Sequence, residues 1–520
     1  MISEKLIYDQ YISPSKNCGS FLMRTTKSLC PECLAVIDAS IIEEDGKVIL
    51  EKTCSKHGFF KDLYWSDARQ FKRFDHYCHD GRGLMNPTVS IDGNCPHSCG
   101  LCTSHKTTTI LANIDVTNRC NLNCPVCFAN ASASGYLYEP TLGQIRKMMQ
   151  ILRDEKPVPC PAIQFAGGEP TMREDIVQIV KMAVEFKFTQ VQMATNGIRL
   201  AKSQQFCNDL AAAGLGTVYL QFDGVTGEPY QIFRGYNVLP YKLQAIENCR
   251  TAGFRSITLV PTLAKGVNDD QVGDIIRFAV KNVDIVKGIN FQPISFTGRI
   301  NKEERLEKRI TISYLFKLIE EQTNGAVKAS DFYPVPFVVP ISHFITAEKG
   351  FPQVEFTVHP HCGTGTYIYV ENGKIIPITH FIDVEGLLEH IDELALNDDK
   401  WLGKSLNKIK RISSLISALP RYIDMEKAPK SVDVKKLFID VLGGTEEAIR
   451  EFHHHTLFVG AMHFMDLYNM DLERIKRCGV HYATPDGRLI PFCTYNTIHR
   501  MEVEKKFATP LIKAKAKICS

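Results

Sequence analysis

The chain has 520 residues, 44% of them hydrophobic and 23% charged, and its net charge is only +3. That length exceeds one ordinary domain and suits a large catalytic unit with smaller additions. The near-neutral charge gives nucleic acid no electrostatic footing. An apolar run of about 18 residues is missing, as is a signal peptide in MISEKLIYDQ, so the expectation is a cytoplasmic protein rather than a spanning or secreted one.

In chain order, residues 1–80 are expected to form a small metal-binding module. LCPEC supplies Cys30 and Cys33, and KTCSKHG supplies Cys54 and His57, the pattern of a rubredoxin-like or zinc-ribbon site on two opposed turns. Cys78 and Cys18 are rival fourth ligands, and thiolate with imidazole does not separate iron from zinc. Residues 81–109 carry CPHSCGLC, with Cys95, Cys99 and Cys102. Residues 110–300 alternate apolar, β-branched runs (ILANIDVT, AIQFAGG, VQMATNG, TVYLQFDG, SITLVPTL, INFQPIS) with amphipathic helical patterns. Six such units predict an α/β fold, a partial (β/α)6 barrel whose site lies just beyond the strands. Residues 301–520 follow as a C-terminal substrate and auxiliary-cluster region. FYPVPFVVPISHF opens it, helical patterns run from about 385 to 475, and GVHYATPDGRLIPFC reads as a hairpin around Pro-Asp-Gly.

Eighteen cysteines is a heavy load, and most fall in knuckles rather than in the scatter of a secreted disulfide framework. Cys160, Cys207 and Cys249 stand alone in apolar or helical surroundings and are read as buried thiols. CNLNCPVC places Cys120, Cys124 and Cys127 directly after the first barrel strand. Three thiolates on a short loop can ligate three irons of a [4Fe–4S] cluster and leave the fourth open, whereas structural zinc needs four closed ligands.

Here the sequence resembles the radical S-adenosylmethionine (SAM) superfamily. The resemblance implies that SAM chelates the open iron and that the reduced cluster cleaves it to a 5′-deoxyadenosyl radical. It also implies an electron donor such as ferredoxin or flavodoxin. GGEP (Gly167, Gly168, Glu169) would face the methionine amino group, Asn196 in ATNGI and Gln221 and Asp223 in QFDG would contact SAM or substrate, and Phe128 would pack on adenine. CPHSCGLC lacks those companions. It is open to a duplicate SAM site, a zinc knuckle or an auxiliary [4Fe–4S] cluster, and the last is favoured. Cys362, Cys478 and Cys493 are candidate ligands of one more cluster, with His361 or His481 to complete it. The HHH at 453–455 is read as a solvated or packed face.

SDARQF, HKTTTILANIDVTNRCNLNCPVCFANAS, GGEPTMRED, VYLQFDGVTGEPY, MHFMDLYNMDLERIKRC and ATPDGRLIPFCTYN together resemble the archaeal tetraether lipid synthases. That resemblance implies coupling of the terminal methyl carbons of phytanyl chains, two SAM per bond, with an archaeal ether lipid as substrate and peripheral membrane contact. An apolar tunnel would then be walled by residues 332–346 and the C-terminal helices. The alternatives are a radical SAM methylase of a pterin or another unactivated carbon, a peptide maturase, and a non-catalytic zinc or nucleic-acid-binding module. A polar, ring-sized pocket rather than a long apolar tunnel would favour the pterin methylase.

Overall fold

A computed structural model of the protein describes residues 21–90, 94–131, 134–371, 373–396, 404–430, 434, 436 and 456–510. Cys18 and the three histidines at 453–455 lie outside the described residues.

The N-terminal strands β1 (Phe21–Leu29), β2 (Val36–Glu44), β3 (Lys47–Cys54) and β4 (Gly58–Trp65) form an antiparallel meander in that order. Helix α1 (Ala68–Asp75) follows, its first turn capped by the Asp67 carboxylate. Although these residues read as a separate module, their apolar face continues into the main core. Ile41, Val48, Leu50 and Trp65 share one packed cluster with Ile114 and Phe165 of the barrel. Charge also ties them down: the buried Asp62 carboxylate pairs with Arg305 at 2.5 Å and Arg309 at 2.8 Å, and Arg309 reaches Asp466 at 3.0 Å.

The large sheet contains the six expected strands, β5 (Leu111–Thr117), β6 (Ala162–Gly167), β7 (Gln190–Thr195), β8 (Thr217–Gln221), β9 (Ile257–Val260) and β10 (Val286–Pro293). All are parallel and adjacent in chain order. Helices cover the outward-facing apolar residues of these strands, and the inward-facing residues line the barrel interior. Helix α2 (Leu142–Arg153) shows why the crossovers fold. Thr141 and Gln144 form a capping box, and Ile145, Met148, Met149 and Leu152 make one buried stripe. Helices α3 (Ile176–Glu185), α4 (Gln204–Ala212), α5 (Leu239–Thr251) and α6 (Val272–Lys281) likewise bury one face, and of these only α4 has a side-chain cap, from Ser203. The α/β partial barrel with its N-terminal ribbon is therefore the fold.

The C-terminal region departs from expectation by completing the barrel sheet itself. Strand β11 (Gly363–Glu371) lies antiparallel on β12 (Thr456–Met462), which runs parallel to β10. Strand β13 (Val480–Ala483) runs parallel to β5 at the opposite edge, and β14 (Leu489–Pro491) folds back on it as the expected hairpin. Residues 456–462 had read as helix; TLFVGAM is an uninterrupted apolar run, and periodicity alone does not separate a buried strand from a buried helix. Helix α7 (Arg500–Phe507) is tied to β5 where Arg500 meets the buried Asp115 at 2.5 Å, and Thr509–Pro510 after it pair with Tyr136–Leu137.

Candidate active site and metal centres

A cavity of about 270 Å³ fills the barrel, reaching from the cysteine loop beyond β5 down to Leu111 and Asn113. Cys120, Cys124 and Cys127 line its mouth with Phe128, Gly167, Gly168, Glu169, Asn196 and Gln221. Burial pushes the Cys120 thiol up to about 12, and the Glu169 carboxylate adds to the push. Free thiolates are thus disfavoured there, and a bound metal centre would supply the compensating positive charge.

The loops around the thiols are locked by hydrogen bonds. Gly167 has φ +127°, and a Cβ there would lie 2.1 Å from the Thr117 carbonyl oxygen. Gly168 N–H donates to Thr117 O at 2.7 Å and Glu169 N–H to Arg119 O at 2.8 Å. With those donors engaged, the glycine loop has carbonyls to present, which suit an ammonium. The buried Glu169 carboxylate accepts from Thr171 and Thr195 hydroxyls at 2.6 and 2.7 Å and from Asn196 N–H at 2.7 Å. Asn196 in turn donates from Nδ2 to Asn121 Oδ1 at 2.7 Å, clasping the cysteine loop between Cys120 and Cys124.

Asp223 is fully buried and does not line the cavity. Both its oxygens take Arg234, from Nε and Nη2 at 2.7 Å each, and Oδ1 also takes Thr262 N–H. Arg234, which sequence reasoning passed over, is the group that faces the cavity, and it donates toward the Cys124 thiol. Gln221 is pinned between Asp223 and the buried Lys242, whose Nζ reaches Gln221 Oε1 at 2.7 Å and Asn196 O at 2.5 Å. Burial drives Lys242 down to about 7. Phe128 meets Phe464 and Phe492 edge-on. Three thiols on one loop, an arginine against one of them and a carbonyl-presenting loop opposite fit a [4Fe–4S] cluster with one open iron, and SAM upon it.

At the ribbon, Cys30, Cys33, Cys54 and His57 bring four donor atoms within 4.8 Å of one another. Cys78 is exposed and outside this group. The Lys56 N–H holds the Cys54 thiol down at about 6. This donor set fits one mononuclear ion.

Six of the remaining cysteines form two further groups. Cys95, Cys99 and Cys102 sit on one loop, with the Cys99 thiol 3.4 Å from Thr494 Oγ1 beside Cys493 and the Cys102 thiol 2.9 Å from Ser104 Oγ. Cys362, Cys478 and Cys493 come from three separate segments. Burial pushes the Cys478 thiol up to about 12, with Cys362 and Cys99 adding to it, so the two groups adjoin. Arg474 Nε donates to Cys362 Sγ at 3.3 Å. His481 is engaged at both ring nitrogens, by Thr109 and His105, and His361 is bonded to Phe71 O and stacked on the Phe71 ring. Beside Cys362, His463 is buried with neither ring nitrogen partnered among the described residues.

Fold and site together define an enzyme of the radical SAM superfamily: residues 114–279 match that superfamily, and residues 22–66 match the HMPTM N-terminal zinc ribbon domain. Its cofactors are accordingly a [4Fe–4S] cluster and SAM, with one mononuclear ion at the ribbon. The chain belongs to the family of the 7,8-dihydro-6-hydroxymethylpterin dimethyltransferase of Methanocaldococcus jannaschii, to which it is 54% identical over 94% of its own length and 96% of the relative's. A probable GTP 3′,8-cyclase of Pyrococcus abyssi is 31% identical over 32% of this chain and 52% of that one. Streptococcus suis SuiB, solved with bound S-adenosylmethionine, is 19% identical with a TM-score of 0.34, covering 42% of this chain and 48% of that chain.

The resemblance to tetraether lipid synthases is thereby corrected, and with it the coupling of phytanyl chains and the archaeal ether lipid as partner. The family is that of a pterin dimethyltransferase, and the long motifs quoted for the lipid synthases do not discriminate the substrate. The cavity agrees, since amides and arginines line it beside the apolar groups. The Phe- and Val-rich stretch expected to wall a tunnel packs elsewhere, Phe337, Ile341 and Phe344 lying in a separate cluster with Leu387 and Leu419. No helix among the described residues is long and apolar enough to cross a membrane.

Proposed function

We propose that the chain is a radical SAM methylase that adds methyl groups to carbon atoms of a reduced pterin. The observation that carries this reading is the 54% identity to a pterin dimethyltransferase, sustained over nearly the whole of both chains. The amides and arginines among the barrel's lining residues support it, because a pterin needs hydrogen-bond donors and acceptors that a lipid does not.

When bound, the cluster and SAM supply a radical able to take hydrogen from an unactivated carbon. The chain's own residues hold the parts in place. Cys120, Cys124 and Cys127 are the proposed cluster ligands. The Gly167–Gly168 carbonyls and Glu169 are proposed to receive the SAM amino group, and Phe128 its adenine. Arg234 offsets thiolate charge while Asp223 aims it. Lys242 fixes the Gln221 amide and the Asn196 carbonyl, and Asn196 fixes the cysteine loop. Cys95, Cys99 and Cys102, and Cys362, Cys478 and Cys493, are proposed to hold two auxiliary [4Fe–4S] clusters.

The test is anaerobic reconstitution with iron, sulfide, a reductant, SAM and 7,8-dihydro-6-hydroxymethylpterin, run with a second SAM as the methyl donor and, in parallel, with an added methylene-tetrahydropterin as the one-carbon donor, followed by mass spectrometry. The expected result is 5′-deoxyadenosine together with a pterin heavier by one and then two methyl groups. Deoxyadenosine without any methylated pterin would remove the substrate from this reading.

A further inference from the structure

Five of the six parallel barrel strands carry a side-chain amide, β9 being the exception, and on the first three these amides are joined. Asn113 of β5 lies in register with Gln164 of β6, and Gln164 with Gln192 of β7. Gln192 Nε2 donates to Gln164 Oε1 at 2.7 Å, and Gln164 Nε2 donates to Asn113 Oδ1 at 2.7 Å. The row therefore has a direction. Each amide hands a donor to the next, and the free donor emerges at Asn113.

That last donor has nowhere to go within the protein. Asn113 is 1% exposed and lines the cavity, yet its Nδ2 has no hydrogen-bond partner among the described residues. A buried donor left unpaired costs about 1–3 kcal/mol. The amides behind it fix its orientation and prevent it from turning to satisfy itself.

One layer nearer the cysteine loop, the inward positions of β6 and β7 are Ala166 and Ala194, which open space beside Tyr219 of β8, the in-register neighbour of Ala194. Tyr219 Oη accepts from Asn290 Nδ2 and, at 3.3 Å, from Gln292 Nε2. With its acceptor capacity taken, the phenol keeps its own O–H to donate. Gln292, whose Nε2 is held by Tyr219, keeps its carbonyl to accept. Tyr482 of β13 is in register with Asn113, and its ring lies 5.4 Å from that of Phe492, which stacks on Phe464 at 4.0 Å. The cavity thus sets a surface that suits a flat ring beside the polar edge.

We propose that this inner wall is the docking edge for the 2-amino-4-oxopyrimidine ring of the substrate, with Asn113 Nδ2 and Tyr219 Oη donating to its acceptors and Gln292 Oε1 accepting from its N–H groups. The inference rests on the pterin reading and adds an orientation to it. Asn113 stands four residues below Thr117 on β5, about 13 Å at ~3.3 Å per residue. The pyrimidine ring therefore sits at the barrel floor, and the second ring with its hydroxymethyl arm points up toward the cysteine loop.

The test is equilibrium titration of the reconstituted full-length protein, with SAM present, by 7,8-dihydro-6-hydroxymethylpterin and by its analogue lacking the 4-oxo group. Wild type is expected to prefer the pterin by about tenfold or more. Asn113→Ser and Tyr219→Phe are each expected to weaken pterin binding by about tenfold to about a hundredfold, and the preference over the analogue is expected to shrink in at least one. That loss of discrimination is a reading which general loosening of the cavity does not produce. Tyr219→Phe deletes a single oxygen and keeps the ring, so it carries the test if Asn113→Ser does not fold. Wild-type affinity and discrimination in a folded variant set that includes Tyr219→Phe would overturn the docking edge while leaving pterin methylation standing. Absence of pterin binding to wild type would overturn both.

Discussion

Gly298, in the segment after β10, offers the sharpest test of how the cysteine loop is held. Its φ is +69°, and an added Cβ would lie 2.4 Å from the carbonyl oxygen of Cys127 and 2.5 Å from that of Phe128. Alanine in this backbone region costs about 1–2 kcal/mol by itself. The larger effect is steric. Cys127 O must retreat by about 0.6 Å to reach the 3.0 Å closest approach of a real Cβ, and the Arg299 N–H bond to that oxygen, 3.1 Å long, moves with it. Displacement on that scale at a proposed cluster ligand is expected to cost at least about tenfold in SAM cleavage, since a 1 Å misplacement costs ~100-fold. Gly266 is the control, because it has φ +72° and nothing within 4 Å of its added Cβ. Gly266→Ala should show only the backbone cost as a small fall in melting temperature. Gly298→Ala should in addition lose iron and 5′-deoxyadenosine formation. Wild-type iron content and cleavage rate in Gly298→Ala would refute the argument that this glycine exists to admit the cysteine loop.

Other consequences concern stability. Glu155 is 3% exposed, accepts from Thr109 N–H at 2.7 Å and leaves Oε2 unpartnered among the described residues. Burial raises its carboxyl from 4.5 to about 7, so the folded chain binds the extra proton between those values. Stability should therefore fall as pH rises from 4.5 to 7, by about 3 kcal/mol at most, and level off above. Glu155→Gln should flatten that slope in denaturant melts and gain over wild type at pH 8 but not at pH 4.5. At the ribbon, His57→Ala should lose the mononuclear ion, by metal analysis, and lower the melting temperature of the whole chain because the ribbon shares the barrel's core; His57→Cys should keep both. Asp62→Ala strips Arg305 of its carboxylate and leaves Arg309 only Asp466. A loss of about 3 kcal/mol by denaturant unfolding is expected, the low end of the range for a broken buried pair.

The parts of the fold carried by local pattern were readable from the sequence. The six barrel strands are apolar runs bounded by turns and separated by helical stripes, and the ribbon knuckles and hairpin turn are short-range features. The placements of β12 and β13 were not readable, since nothing in TLFVGAM or VHYA records that one strand joins β10 and the other β5. The candidate site divides similarly. Its thiols and glycine loop form contiguous motifs, whereas Arg234, Arg299, Asn113, Tyr219 and Arg500 meet only after folding. One signal was available. Asn113, Gln164, Gln192, Gln221 and Gln292 each place an amide in a strand of the barrel sheet, and a buried amide needs a partner. Family-scale motifs misled on substrate because they describe the scaffold and its cofactor, while substrate choice resides in those interior side chains.

The central claim is that SAM cleavage at the Cys120, Cys124 and Cys127 loop is directed at a reduced pterin. The most direct measurement is a single anaerobic incubation series of reconstituted wild type and the triple alanine variant with reductant, excess SAM, an added methylene-tetrahydropterin as a second one-carbon donor and 7,8-dihydro-6-hydroxymethylpterin, following deoxyadenosine and pterin mass together. The expected result is methylated pterin and deoxyadenosine from wild type and neither from the variant. Cleavage persisting in the variant, or a pterin left unchanged by an actively cleaving wild type, would contradict the account.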